Sequence, residues 1–187
     1  MKGYFLFLFI LILPFPAIAE ITFSQLARIS TTPEILEGRF NQEKYLSALD
    51  TVLISTGVFN YQRSNSIRWE ILEPIQYQML LTPTVITNKQ GDRELSRFDV
   101  GSNPVAAVLG EIFFSVLTAE WENLSEYFEL SGKIDGQQWH AILLPLDQAV
   151  IQIFSRVELK GEALLEEIIL YENGGDRTTI RLDNQRG

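Results

Sequence analysis

Apolar side chains recur at every second position in several short segments of this chain. In RSNSIRWEILEP, residues 63–74, Ile67, Trp69 and Ile71 alternate with polar residues, and the segment ends at Pro74. Successive side chains of a β-strand point to opposite faces, and proline is tolerated where a strand ends. The same period runs through ILEGRFNQEKYL, VLISTGVFNYQRS and IQYQMLLT, each bounded by turn-forming residues. Four such segments in a row predict antiparallel hairpins.

The second of these predicted strands, residues 52–64, carries apolar side chains on both faces. Phe59 and Tyr61 share one face, whereas Val52 and Ile54 share the other. An antiparallel sheet with one face in water needs apolar residues on the opposite face only. The strand is therefore more apolar than such a sheet requires.

Two segments show helical spacing instead. A short helix is predicted over residues 22–32, and Pro33 closes it. A longer helix is predicted over residues 103–119, with Pro104 at its first position. Glu111 is the single charged residue of this longer segment, so most of the helix surface has to lie against apolar groups. Its apolar stripe consists of Val105, Val108, Leu109, Ile112, Phe113, Val116 and Leu117.

Alternation resumes after residue 127 and continues almost to the end of the chain. FELSGKI, QWHAILLPL, RVELKGE, LLEEIILYE and RTTIRL each fit a strand, and a short irregular or helical piece lies at residues 147–154. No repeat or linker interrupts the pattern. The sequence therefore predicts an α+β fold, mainly β, with one antiparallel sheet of roughly nine to eleven strands and helices that cover one face.

The beginning of the chain has the three parts of a secretory signal peptide. A short basic start precedes the apolar run of residues 4–13, and Ala17-Ile18-Ala19 forms a cleavage site. The alternative is a membrane anchor, but a spanning helix needs ~20 apolar residues, and prolines interrupt this run. We expect residues 1–19 to be a cleaved signal peptide and residues 20–187 to form a single exported domain.

Composition narrows the range of partners and of stabilising bonds. The chain has no cysteine, so disulfides and thiolate metal sites are not available to it. Its formal net charge is −9, without a basic cluster. Nucleic acids and anionic lipid surfaces both favour concentrated Lys and Arg, so neither is an expected partner. We expect a monomer.

Residues that could carry out catalysis are few. His140 is the only histidine, and its place in a predicted strand beside Trp139 is more typical of a structural imidazole. Residues 174–176, Gly-Gly-Asp, fit a hairpin turn better than a phosphate-binding loop, because no helix follows them. A hydrolase that uses paired carboxylates is the weak alternative, and its candidates are Glu120, Glu122, Glu126, Glu129, Glu166 and Glu167. We expect no enzyme activity, no cofactor and no metal.

Three motifs in order resemble the outer-membrane lipoprotein carrier family, the LolA-like proteins. They are GRFNQEK at 38–44, STGVF at 55–59, and RSNSIRWE at 63–70 followed by Glu73-Pro74. That family typically shows F-x-Q-x-K, S-x-G-x-[FL] and R-P-x-x-[FL]-x-W-x-x-x-x-P. The later FSRVELKG and GDRTTI are similar to a shorter LolA-related branch. Ser64 departs from the family pattern, which usually has proline there.

The resemblance implies a half-open antiparallel β-barrel covered by helices, with a hydrophobic cavity that takes up acyl chains of lipoproteins in the periplasm of a Gram-negative bacterium. It implies that Arg63 holds a helical lid shut, with Arg68 as the rival candidate. The lid would be the helix at 103–119, or else the helix at 22–32. The residues expected to line the cavity are Phe40, Phe59, Tyr61, Ile67, Trp69, Ile71, Leu109, Ile112, Phe113 and Val116.

The same resemblance sets the expected partners and leaves alternatives. The cargo would be an acylated lipoprotein or a related lipid, received from an inner-membrane donor complex and passed to an outer-membrane acceptor. One alternative is a binding module that senses lipid or peptide, and another is an accessory protein of an envelope export system. The predicted lid also has an alternative, because an apolar helix on a sheet is usually permanent core.

Overall fold

The computed structural model describes residues 21–31 and 33–187. The predicted signal peptide, residues 1–19, and the expected first mature residue, Glu20, lie outside the described residues. Three α-helices are present in the described part of the chain: α1 Phe23–Ile29, α2 Pro104–Leu117 and α3 Gln148–Ile151. The strands are β1 Ile35–Leu46, β2 Thr51–Gln62, β3 Ser66–Glu73, β4 Tyr77–Leu81, β5 Val85–Gln90, β6 Arg93–Asp99, β7 Phe128–Asp135, β8 Gln138–Pro145, β9 Phe154–Gly161, β10 Leu165–Glu172 and β11 Arg177–Arg186.

All of these strands belong to one antiparallel sheet. Its eleven strands lie in the order β6-β5-β4-β3-β2-β1-β11-β10-β9-β8-β7. Neighbours in the sheet are neighbours in sequence except for β1 and β11, which pair along Glu37–Tyr45 and Arg177–Arg186. The edge strands β6 and β7 do not pair with each other within the described residues, so the sheet stays open. The predicted fold, a mainly β, half-open antiparallel barrel, is confirmed.

The helices begin where the sequence predicts, and both end slightly earlier. Thr22 caps α1 through a capping box with Gln25, and Asn103 caps α2 by accepting a hydrogen bond from the backbone N–H of Ala106 at 3.0 Å. Helix α1 ends at Ile29 because Ser30 is already extended. Helix α2 ends at Leu117, and Ala119 then adopts a positive φ of 55°.

Tight turns join the hairpins, as predicted. Gly136 links β7 to β8 with a φ of 63°. Between β10 and β11, Gly175 has a φ of 88°, so residues 173–176 form a hairpin turn. Asp176 at this turn accepts hydrogen bonds from the backbone N–H and the hydroxyl of Ser47, both at 2.9 Å. These bonds hold the pKa of Asp176 below its usual value.

The helices pack on one side of the sheet. The 3₁₀ segment Trp121–Glu126 follows α2, and the Trp121 indole Nε1 donates to the Ser30 hydroxyl at 2.9 Å, which ties this segment to the end of α1. Trp121 also packs edge to face on Trp139 of β8, with ring centroids 5.4 Å apart. Among residues 21–31 and 33–187, no helix is both long and apolar enough to cross a bilayer.

Candidate functional site

A cavity of about 500 Å³ lies between helix α2 and the sheet. The lining residues share one property, which is that nearly all of them are aliphatic or aromatic. They are Met79, Leu81, Ile86, Phe98, Asn103, Val105, Ala106, Leu109, Gly110, Ile112, Phe113, Val116, Phe128, Leu143, Phe154, Val157, Leu159, Ile168, Leu170 and Ile180.

Both halves of the sheet contribute to this cavity. Strands β4, β5 and β6 supply one wall, and β7 to β11 supply the other, while α2 closes the space between them. The period of two explains the contribution of each strand. Val157 and Leu159 are two positions apart in β9, as are Ile168 and Leu170 in β10, so each pair faces the same side.

The lining offers almost no hydrogen-bond partners to a polar ligand. Among the described lining residues, Asn103 is the one with a polar side chain, and its Oδ1 already accepts the hydrogen bond that caps α2. A polar group buried without a hydrogen-bond partner costs on the order of 1–3 kcal/mol, and an unpaired charge costs more. The cavity is therefore suited to a hydrocarbon chain and unsuited to a charged or strongly polar molecule.

The cavity opens to solvent near the beginning of α2. Two lining residues, Val105 of α2 and Phe98 of β6, are 45% and 40% exposed. The opposite end of the helix is closed, since Val116 and Leu117 are both 6% exposed. A long apolar ligand would therefore enter between the first turn of α2 and the edge strand β6.

Helix α2 has space on a second face as well. Another cavity, of about 380 Å³, is lined by Ala107, Glu111, Phe114 and Ser115 of the helix, and it shares Leu81 and Gly110 with the apolar cavity. Its lining includes carboxylate, hydroxyl and amide groups, so it is more polar than the first. A helix flanked by two cavities has fewer packing contacts to hold it in place than a helix in a filled core.

Strands β1 to β3 show the opposite arrangement, because aromatic rings fill the space above them. Phe40 stacks on Trp69 with ring centroids 4.0 Å apart, and Phe59 lies at 5.9 Å from the same indole. Phe113 of α2 packs edge to face on Trp69 at 5.9 Å. Phe113 therefore belongs to both regions, since it covers this aromatic cluster and also lines the apolar cavity.

The residues predicted to line a cavity fall into two groups. Leu109, Ile112, Phe113 and Val116 line the apolar cavity. The other predicted residues lie outside its lining, in the packed core over β1 to β3 or against it; they are Phe40, Phe59, Tyr61, Ile67, Trp69 and Ile71. The rings of Phe40 and Phe59 stack on Trp69, and the three rings together fill the space above these strands. Lipid contact at any of these positions stays a prediction.

Arg63, the predicted latch, contacts the end of α2. One guanidinium nitrogen donates to the backbone carbonyl of Thr118 at 3.2 Å, and the other lies 3.4 Å from a carboxylate oxygen of Glu120. The C-terminal end of a helix carries partial negative charge, so a guanidinium there is favourable. Arg68, the rival candidate, is exposed. The contact that a latch requires therefore exists at Arg63, while the latch role itself stays a prediction.

The middle of α2 is tied down by a second polar contact. The Tyr127 hydroxyl donates to a carboxylate oxygen of Glu111 at 2.7 Å. Burial and this hydrogen bond raise the pKa of Tyr127 to about 12, so the phenol keeps its proton at any physiological pH. Helix α2 is thus held at its middle and at its C-terminal end, whereas its first turn lies at the mouth of the cavity.

Charged groups elsewhere form pairs between strands. The His140 imidazole lies 3.0 Å from a carboxylate oxygen of Glu158 on the neighbouring strand. The described residues contain no cluster of three or more His, Asp and Glu side chains that could hold a metal ion.

A family model described as "Outer membrane lipoprotein carrier protein LolA" matches residues 31–187. No curated protein matches the sequence. A crystal structure of a LolA superfamily protein from Nitrosomonas europaea is 8% identical with a TM-score of 0.48, over 88% of this chain and 90% of that chain. The MucA/MucB complex of Pseudomonas aeruginosa gives 14% identity and a TM-score of 0.46, over 81% of this chain and 51% of that chain.

Proposed function

Because the chain belongs to the outer membrane lipoprotein carrier protein LolA family, we propose that it is a periplasmic carrier that shelters acyl chains of lipoproteins or related lipids and passes them toward the outer membrane. The observation that carries this proposal is the apolar cavity under α2, about 500 Å³ in volume. A permanently packed core would have filled this space with side chains.

The binding energy would come from removing hydrocarbon from water. Each buried methylene contributes ~0.8 kcal/mol, so affinity should rise with chain length until the cavity is full. Ligand pockets typically enclose about 300–1,000 Å³, and this cavity falls in that range. Since the described lining residues other than Asn103 have no polar side chain, the cavity would select cargo by hydrocarbon length and width.

Release would require the cavity to close as cargo leaves. Helix α2 is the proposed lid, because its first turn lies at the cavity mouth and it has a cavity on each of two faces. Arg63 would hold the helix in the closed position through Thr118 and Glu120. A ligand that binds the open state better than the closed state shifts the population toward open, and its departure restores the latch contact.

This role requires partner proteins and does not require catalysis of a chemical reaction. The protein would receive cargo from an inner-membrane donor complex and deliver it to an outer-membrane acceptor, acting as a binding protein and not as an enzyme. The likeness to a carrier family and the cavity both support this role, and export to the periplasm by a cleaved signal peptide is part of the same proposal.

A titration with saturated fatty acids of increasing length tests the proposal directly. We expect displacement of a fluorescent fatty acid to strengthen by about three- to fourfold per added methylene, which corresponds to ~0.8 kcal/mol, and then to level off. Leu109→Asp should abolish binding, whereas the matched change Leu144→Asp, at an exposed position that does not line the cavity, should not. Affinity that does not depend on chain length, or that both variants retain, would reject a hydrocarbon-binding cavity.

Transfer is tested separately from binding. The purified protein should accept a triacylated lipoprotein from detergent micelles, keep it soluble, and yield a complex of one protein and one cargo molecule by native mass spectrometry. If the protein binds fatty acid but takes up no lipoprotein, it is a lipid-binding protein and the carrier role is rejected.

A further inference from the structure

Strand β2 extends beyond the strand beside it. All of Thr51–Gln62 pairs with β1, but pairing with β3 covers only Thr56–Gln62. The last residue of β3, Glu73, lies opposite Thr56. Within the described residues, 51–55 therefore have a neighbouring strand on one side only, and the alternate backbone N–H and C=O groups on their other side have no strand partner there.

This free edge is apolar and exposed. Val52, Leu53 and Ile54 have exposed fractions of 50%, 52% and 59%. Val52 and Ile54 are β-branched. They share one face of the extended strand, and Leu53 lies on the other. Such a segment is ready to pair with another extended chain, because both its backbone groups and its side chains are accessible.

The outer edge strand β6 shows how this sheet protects an edge elsewhere. Its sequence, RELSRFD, places charged residues at most positions. Charges on an edge strand discourage pairing with other chains, because the incoming strand would have to desolvate them. Residues 51–55 carry no charge at all. Because this accessible edge lacks such protection, we interpret residues 51–55 as a surface that is used for pairing.

Carboxylates lie at both ends of the free edge. Asp50 precedes it in the turn after β1, and Glu73 marks the point where β3 stops. Neither residue forms a salt bridge with another residue in the described ranges 21–31 and 33–187. An incoming segment with Lys or Arg at its ends would complement these charges.

We propose that residues 51–55 receive an extended segment of a partner protein as an added β-strand, with β-branched apolar residues in its centre and a basic residue at each end. Backbone hydrogen bonds would supply affinity, and alternate side chains would pack beside Leu53 on one face and beside Val52 and Ile54 on the other. This inference goes beyond the proposed carrier role and does not depend on it.

A second copy of this chain fits the edge less well. If two copies paired antiparallel about Leu53, Asp50 of one copy would lie opposite Thr56 of the other and close to its Glu73. Like charges in such positions are destabilising.

A peptide titration tests the proposal. The probe is a fluorescein-labelled peptide amide, Lys-Val-Thr-Val-Thr-Val-Lys, whose saturable binding is followed by anisotropy. Leu53→Lys should weaken binding at least about tenfold, while Leu95→Lys, at a leucine that is 47% exposed on edge strand β6, should leave it unchanged. Asp50→Asn and Glu73→Gln should each weaken binding by a smaller factor. Circular dichroism and thermal melting of each variant establish that it is folded.

Two further readouts locate the peptide. Amide hydrogen exchange should slow at residues 51–55, and a control peptide with proline in place of the central valine should fail to bind, because proline cannot donate to a ladder. The proposal is overturned if no saturable binding is seen below about 1 mM peptide, if the proline peptide binds equally well, or if Leu53→Lys has no effect. It is also overturned if the protein forms a dimer that Leu53→Lys abolishes, or if this edge inserts instead into vesicles of phosphatidylcholine.

Discussion

The packed region over β1 to β3 and the hollow region lined by β4 to β11 belong to the same sheet and lie under the same helix. In the packed region, a Cβ added to Gly57 would come within 2.5 Å of the Phe40 ring, and one added to Gly38 within 2.7 Å of the Phe59 ring. The hollow region instead contains the cavity of about 500 Å³. A Cβ on Gly110 of α2, beside this cavity, would lie 3.3 Å from a methyl of Leu81, a close contact that a small shift of this flexible side chain can relieve. One sheet thus has a tightly packed part and a part with room for a ligand.

The difference arises from side-chain volume and not from polarity. Both regions present apolar side chains at alternate strand positions. Three aromatic rings, on Phe40, Phe59 and Trp69, fill the first region, whereas aliphatic residues such as Val157 and Ile168 predominate on β9 and β10 and leave the second partly empty. Tight packing stabilises the fold, and the hollow part keeps space available at the expense of dispersion contacts.

The largest expected effect is the loss of stability when the same substitution, phenylalanine to alanine, is made in each of the two regions. Phe59→Ala removes a ring that is 2% exposed from the packed cluster, so we expect it to lower the free energy of unfolding by ~3–5 kcal/mol. Phe154→Ala removes a half-buried ring that lines the cavity, so its cost should be clearly smaller. Chemical denaturation of both variants measures the difference. Equal losses at the two positions would show that the hollow region is packed in solution.

A second prediction concerns a substitution that fills the hollow region. Leu170→Trp places a larger side chain into the cavity, so we expect fatty-acid binding to weaken at least about tenfold while the free energy of unfolding changes by less than ~1.5 kcal/mol. Leu144→Trp, at an exposed position outside the cavity, is the control. Fluorescent fatty-acid titration and denaturation of both variants provide the measurement. Unchanged binding in Leu170→Trp would place the ligand elsewhere.

Much of the fold was predictable, because it depends on local signals. The period of two located the strands, Asn103 and Pro104 located the start of α2, and residues 173–176 formed the predicted hairpin. The residues of the cavity were harder to predict. Alternation shows that Ile67 and Ile168 each face an apolar side, but it does not show that one side is filled and the other hollow. That distinction depends on the summed volumes of residues far apart in sequence.

For a related reason, the free edge of β2 could not have been predicted from the sequence. The apolar character of Val52 and Ile54 was visible in the pattern, where it exceeded what a sheet with one face in water requires. The structure shows these residues exposed, because β3 stops opposite Thr56 and leaves the end of β2 uncovered. The length of a neighbouring strand is a tertiary property, so an apolar pattern alone could not reveal it.

A third prediction concerns how helix α2, the proposed lid, is held over the hollow region. Arg63→Leu removes the bonds to the buried Thr118 and to the partly exposed Glu120. We therefore expect a loss of ~1 kcal/mol, localised to α2. Amide exchange in residues 104–117 should accelerate and fatty acid should dissociate more slowly, since a contact of the closed state has been removed. Arg68→Leu, at an exposed arginine, is the matched control. The latch role is rejected if the two variants have the same exchange rates.

The smallest expected effect is also the most direct measure of room under α2. Gly110→Ala adds one methyl to the middle of the helix, where it faces the flexible end of Leu81 at 3.3 Å. Alanine is preferred to glycine in a helix by up to ~1 kcal/mol, so we expect Tm to rise by about 2–4 °C if Leu81 can move aside into the adjoining cavity. Ala107→Gly, one turn earlier in the same helix, should lower Tm by a similar amount. If Gly110→Ala lowers Tm instead, the methyl has met a packed wall, and the space between α2 and β4 is filled in solution as tightly as the aromatic cluster over β1 to β3.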